Sequence, residues 1–267
     1  MRAGVVQMTS TSDLAANLVA AETLVREASE RGAELVALPE NFAFLRREGM
    51  PISCAQPLDG EIVSRLRAWA RELRIWLVGG SFPEAIPDDS RAYNTCVCCS
   101  PEGEIAAVYR KIHLFDVDLR GREGDAYEES SAVAPGGELA LATTAFGLVG
   151  LSICYDLRFP ELYRALTERG ARFLVVPSAF TPQTGKDHWE VLLRARAIEN
   201  QAFVLAPAQC GRHSEARSSH GRSMIVDPWG VVLAQAADEP GVITADCSLE
   251  RQDRVRQSLP ALRHRRL

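Results

Sequence analysis

The sequence predicts a single-domain α/β protein in which helices layer on sheets. Three observations carry that expectation. Residues 3–78 alternate short apolar runs with amphipathic helical periods in the order β-α-β-α-β. Beyond residue 140 the same alternation returns, again with apolar runs of strand length. Across all 267 residues there is no linker-like composition break, internal repeat or low-complexity tract, so residues 1–267 are taken as one domain. A composition of 46% hydrophobic and 24% charged residues is that of a folded chain rather than a disordered one. The net charge of −5 argues against nucleic acid as a partner.

The elements follow in order. Ala3–Met8 reads as a buried strand. Asp13–Ala28 places Leu14, Leu18, Ala21, Val25 and Ala28 at helical spacing, with Ser and Thr just upstream as capping candidates. Gly32 ends that helix, and Leu35–Leu38 is a second strand that runs into Pro39-Glu40. A helix over Glu61–Arg74 leads to the strand Ile75–Val78, stopped by Gly79-Gly80. This opening suggests a mostly parallel sheet. Tyr93–Ser100 and Glu104–Tyr109 form a hairpin pattern around Pro101-Glu102-Gly103. From Lys111 to Gly137 no periodicity survives, and so long an irregular stretch in a compact domain is functional or disordered. Leu148–Ile153 and Phe173–Val176 are strands flanking a helix over Pro160–Arg169. Lys186–Asn200 is a helix with Trp189, Leu192, Leu193 and Ala197 on one face. Phe203–Ala206, Ser223–Val226, Val231–Ala234 and Val242–Ala245 complete the strands, the second and third joined by Asp227-Pro228-Trp229-Gly230.

Three reactive residues share one structural address. Glu40, Lys111 and Cys154 each stand just past the carboxyl end of an apolar run, where open α/β sheets place their ligands. Cys154 precedes a segment whose Pro160 and Glu161 suit the first turn of a helix, and a helix N-terminus favours a thiolate. Alone it reads more readily as a buried structural cysteine. None of the five histidines stands where it would pair with Cys154, so Glu40 is the available base. Lys111 is one of two lysines, with Lys186, against 28 arginines. A general preference for arginine explains the trend, but a compact ammonium suits an oxyanion better than a rigid guanidinium fork.

Leu38-Pro39-Glu40-Asn41, Tyr109-Arg110-Lys111-Ile112-His113-Leu114 and Ile153-Cys154-Tyr155-Asp156-Leu157-Arg158-Phe159-Pro160-Glu161 resemble the three signature motifs of the nitrilase superfamily of carbon–nitrogen hydrolases. The resemblance spans essentially the whole chain. It implies a four-layer α-β-β-α sandwich, a catalytic set of Glu40, Lys111 and Cys154, and no metal or organic cofactor. It also implies at least a homodimer, built by stacking sandwiches face to face. An assisting Glu is expected after the Lys motif. Glu129 aligns because it precedes Ser130, with Glu128 beside it as the alternative.

Ser178-Ala179-Phe180, the Gly185–Asn200 segment and Gly221–Gly230 are similar to the amidase branch. Ala208–His213, Leu259-Pro260 and His264–Arg266 resemble the deaminated glutathione amidases within it, with omega-amidases acting on α-ketoglutaramate or broader short-chain amidases as the alternative. The implied chemistry is hydrolysis of a side-chain carboxamide to acid plus ammonia through a Cys154 thioester. The Tyr155 backbone N–H joins Lys111 at the oxyanion, and Arg158, Arg212 and His213 are candidates for substrate carboxylates. A non-catalytic scaffold on the same fold is the competing class.

Other signals read as structure. Cys96-Val97-Cys98-Cys99 has no partner pair at metal spacing, so buried strand thiols are expected, and Trp189 belongs to the core. Arg263–Arg266 reads as a subunit contact or a solvated tail. No apolar run reaches the roughly 18 residues that span a bilayer, and the N-terminus lacks a signal-peptide pattern. A cytoplasmic protein with reduced thiols is therefore expected.

Overall fold

A computed structural model describes residues 1–47, 50–118 and 126–266 of the chain. Two sheets lie face to face with helices outside both, which is the expected α-β-β-α sandwich. The first sheet runs Gly241–Asp246, Arg2–Gln7, Leu35–Ala37, Trp76–Val78, Ala92–Cys99, Phe82–Ala85, with Ile105–Arg110 and Val133–Ala134 also paired to Ala92–Cys99. The second runs Leu141–Thr144, Gly147–Leu151, Ala171–Val175, Phe203–Ala206, Met224–Val226, Val232–Gln235. Parallel pairing is confined to the centre of each sheet and to one short contact of Val133–Ala134. The expectation of a mostly parallel sheet is therefore corrected. Short turns such as those at 101–103 and 228–230 reverse the chain, and only antiparallel strands can be joined so briefly.

Strand alternation sorts the core. On the first sheet Val5, Leu35, Ala37, Cys96 and Cys98 face the second sheet. Val6, Val36, Leu77, Val97 and Cys99 face helices α1 (Leu14–Glu30) and α2 (Glu61–Leu73). Burial on both faces is why these strands read as continuous apolar runs. Helices α3 (Pro160–Glu168) and α4 (Pro182–Asn200) cover the second sheet through Leu162, Leu166, Trp189, Leu193 and Ala197. Trp189 is buried, and its indole N–H donates to the Arg222 carbonyl at 2.8 Å.

Several local expectations shift. The cap of α1 is Asp13, whose carboxylate accepts from Ala16 N at 3.0 Å, rather than an upstream Ser or Thr. Helix α4 starts four residues early because Thr181 caps it and Pro182 suits a first turn. Phe82–Ala85, Leu141–Thr144 and α5 (Leu249–Ser258) have no counterpart in the sequence reading. Pro83 masks the first, and α5 buries only Gln252 and Val255, so no apolar period betrays it. The irregular 111–137 stretch lies partly outside the described residues. Within them it forms the pair Asp116–Asp118 with Ala126–Glu128 and a 3-10 turn over Glu129–Ser131.

Candidate active site

Three chain reversals bring the reactive residues together. Past Leu35–Ala37, the Pro39 carbonyl accepts from Ser81 N at 3.3 Å and Asn41 N donates to Ser81 Oγ at 2.9 Å. Gly80 makes this closure possible, since its φ is +55° and a Cβ there would stand 2.1 Å from the Pro39 oxygen. Gln209 holds the Glu40 carbonyl at 2.9 Å. Lys111 follows Ile105–Arg110 directly, its N–H donating to Asn94 O at 2.9 Å and its carbonyl accepting from Gly136 N at 2.8 Å. Cys154 sits at φ +49°, an uncommon conformation for a residue with a side chain, and its N–H donates to Pro177 O at 2.8 Å.

The turn after Cys154 is the 3-10 helix Cys154–Arg158, and α3 begins only at Pro160. The helix thus starts at Pro160 as the sequence predicts, and Cys154 stands one 3-10 turn ahead of it. What shapes the turn is Asp156, fully buried. Its carboxylate accepts from Ile153 N at 2.8 Å, the Tyr109 hydroxyl at 2.7 Å and His113 N at 3.1 Å, and lies 2.7 Å from His113 Nδ1. One side chain thus ties the cysteine turn to both sides of Lys111.

The functional groups meet in a closed cluster. Glu40, Lys111 and Cys154 are 3%, 2% and 8% exposed, so water does not screen them. Lys111 Nζ donates to Glu40 Oε1 at 2.9 Å and to both Glu129 oxygens at 3.0 and 2.9 Å. Glu129, not Glu128, is therefore the carboxylate on the lysine, and Phe115 N holds it at 2.7 Å. Burial opposes the Lys111 charge, but Glu129, Glu40 and Cys154 outweigh it and hold its pKa well above the ordinary lysine value. Burial pushes the Cys154 thiol well above its usual pKa and the adjacent Glu40 charge adds to this, against the pull of Lys111. The sulfur lies beside the Glu40 carboxylate and the Ala179 N–H. Such an arrangement can transfer a proton from sulfur to carboxylate while an ammonium waits beside the reacting centre.

The cluster forms the floor of an open cleft. Its walls include Phe44, Phe115, Tyr127, Tyr155 and Phe180, with Arg46, Arg158 and Arg217 as cations. Arg158 lies over the Tyr155 and Phe180 rings at 5.8 and 5.4 Å, and its Nη1 is 3.2 Å from His188 Nδ1. Tyr155 and Arg158 thus line the cleft, whereas Arg212 and His213 do not. Arg212 is exposed and donates to the Ser214 and Glu215 carbonyls. His213 is buried between Ser10 O at 2.9 Å and Ser219 Oγ at 2.8 Å. The reason is the tight loop at 213–217, closed by His213 N on Arg217 O, which turns Arg217 toward the cleft instead.

Sequence reasoning also missed Asn94, Asp156 and Gln209, all buried and all touching the cluster or its supports. Asn94 left a trace, as the amide in an otherwise apolar strand. Asp156 lay inside the Cys154 motif without a role. Gln209 left none that separates it from any loop glutamine.

Glu, Lys and Cys at three strand ends of a double-sheet sandwich define a class, and the chain belongs to it: the carbon–nitrogen hydrolase family, whose model matches residues 2–257. The chain is 47% identical to the deaminated glutathione amidase of Synechocystis sp. over 266 residues, covering 98% of this chain and 97% of that protein. It is 44% identical to the deaminated glutathione amidase of Homo sapiens over 266 residues, covering 98% and 81%. The crystal structure of Saccharomyces cerevisiae Nit3, a member of branch 10 of the nitrilase superfamily, matches with a TM-score of 0.88 at 32% identity, covering 100% of this chain and 97% of that one. The chain is an amide-hydrolysing enzyme.

Proposed function

We propose that this amidase hydrolyses deaminated glutathione, with Cys154 as nucleophile, Glu40 as general base and acid, and Lys111 as oxyanion partner. The observation that carries the mechanism is the Glu40 carboxylate held by the Lys111 ammonium at 2.9 Å with the Cys154 sulfur beside it, all three buried on the floor of one cleft. Glu40 takes the thiol proton as sulfur attacks the amide carbonyl. The oxyanion faces Lys111 Nζ and the Tyr155 N–H, which heads the 3-10 turn and so has no intrahelical acceptor. Collapse breaks the C–N bond, Glu40 protonates the leaving amine, and a thioester remains. Water then attacks the thioester, giving its proton to Glu40, and the acid departs as the thiol re-forms. Glu129 keeps the ammonium aimed throughout.

The substrate choice rests on the relatives and on the cleft. Glutathione with its amino group replaced by a 2-oxo group keeps two carboxylates and two secondary amides. That chemistry corrects the expectation of ammonia: the leaving group is a peptide amine. The cleft is open to solvent above the cluster, and Arg46, Arg158 and Arg217 on its walls suit the two carboxylates. The test compares deaminated glutathione with α-ketoglutaramate, both of which yield the same 2-oxo diacid. Higher kcat/KM for deaminated glutathione supports the proposal, and higher kcat/KM for α-ketoglutaramate overturns the substrate choice.

The same reading puts the chain in a homodimer or higher homo-oligomer. An exposed apolar strip supports this: Val191 and Ile198 on α4 stand beside Trp229 and Val231. Ile198 reaches Gly230, and Arg194 Nε donates to the Gly230 carbonyl at 2.9 Å, so α4 and the 227–230 turn meet at this surface. Among the described residues no helix is long and apolar enough to cross a membrane. All seven cysteines are free, which supports a reducing, cytoplasmic setting.

A further inference from the structure

We propose that Asn94 is a positioning residue that pins one oxygen of Glu40 and so reserves the other for the Cys154 proton. This rests on Glu40 as base and Cys154 as nucleophile. Asn94 Nδ2 donates to Glu40 Oε1 at 3.0 Å and to Glu129 Oε1 at 3.3 Å. Lys111 Nζ donates to the same two oxygens at 2.9 and 3.0 Å. Glu40 Oε1 therefore has two donors, which fills its two lone pairs, and Oε2 is the oxygen with capacity for the thiol.

The orientation of the amide is dictated by its neighbours, since a flipped side chain would set Oδ1 against two carboxylates. Holding it has a visible cost. Asn94 is 5% exposed, and its Oδ1 is buried without a hydrogen-bond partner. A residue serving only the fold would be better apolar here, because a buried unpaired carbonyl destabilises. Charge makes the same point. One largely buried ammonium faces two carboxylates, and Asn94 adds a donor without adding charge. Without it, nothing but Lys111 restrains Glu40 Oε1. Glu40 is then free to turn both oxygens onto the ammonium and away from the sulfur.

The test uses Asn94→Leu, near in volume and apolar, and Asn94→Asp, near in shape but ionisable. Steady-state hydrolysis is measured from acid to alkaline pH, with melting curves alongside. Asn94→Leu is expected to lose about 10²-fold in kcat with little change in KM, while melting no lower than wild type. Asn94→Asp is expected to lose a similar factor at neutral pH. It should recover part of kcat at acid pH, where two neighbouring carboxylates keep its carboxyl protonated and able to donate. A leucine variant that keeps wild-type kcat, or an aspartate variant whose pH profile parallels wild type, overturns the assignment. If Asn94→Leu does not fold, the aspartate profile decides. Cys154→Ala separates the two readings: activity surviving there defeats the underlying mechanism. An inactive Cys154→Ala beside wild-type Asn94 variants defeats only the role of Asn94.

Discussion

Lys111 shows at the scale of one residue why chemistry overrides composition. The chain carries 28 arginines, yet the group between Glu40 and Glu129 is an ammonium that donates to three carboxylate oxygens within 3.0 Å. A planar guanidinium in that fully enclosed space must displace a carboxylate or crowd the oxyanion. Lys111→Arg is expected to lower kcat by about 10²-fold or more, read in steady-state kinetics. Glu40 permits a sharper dissection. Its charge helps raise the Cys154 pKa, so Glu40→Gln should shift the pH profile of Cys154 alkylation by iodoacetamide toward lower pH while amide turnover is lost. The sign follows directly: removing a negative neighbour favours the thiolate. Cys154 also carries backbone strain at φ +49°. Cys154→Gly is expected to be more stable than Cys154→Ala by about 1 kcal/mol in chemical denaturation, since only glycine adopts that conformation freely.

At the scale of elements, the turns beyond the strands carry the site, and they divide into what the sequence displays and what it hides. Gly79-Gly80 was legible as a strand stop, but that Gly80 closes against Pro39 and so sets Glu40 requires the packed structure. Gly80→Ala is expected to destabilise the fold by about 2–4 kcal/mol and to reduce activity beyond the loss of folded protein, measured by melting and by kcat per folded site. Strand ends, the three motif residues and the α1, α2 and α3 periods were readable because each depends on local pattern. Asn94, Asp156 and Arg217 were not, because their roles depend on partners 35 to 54 positions away or on the fold of a loop. Asp156→Asn tests one such long-range support. The amide must face at least one of the Ile153, Tyr109 or His113 donors with its own N–H groups, at a cost of about 2–4 kcal/mol. The pH profile of cysteine alkylation should shift down toward that of an ordinary solvated thiol as the turn loosens and burial is relieved.

For the whole molecule, the two-sheet core explains how three distant segments converge: both sheets present their strand ends to one cleft, and the helices stay outside. The apolar strip beside Trp229, which is 53% exposed, lies on the outer α4 layer, so stacking two copies there would cover it without closing the cleft. Trp229→Glu is accordingly expected to shift the mass in solution toward monomer, read by light scattering. In the proposed mechanism the amide carbon passes through a thioester on Cys154. The most direct measurement of that step is intact-protein mass spectrometry of rapidly quenched turnover with deaminated glutathione. The expected result is a mass increase equal to the acyl portion of the substrate, confined to Cys154 and absent in an inactive Cys154→Ala. Undiminished turnover by Cys154→Ala would contradict it.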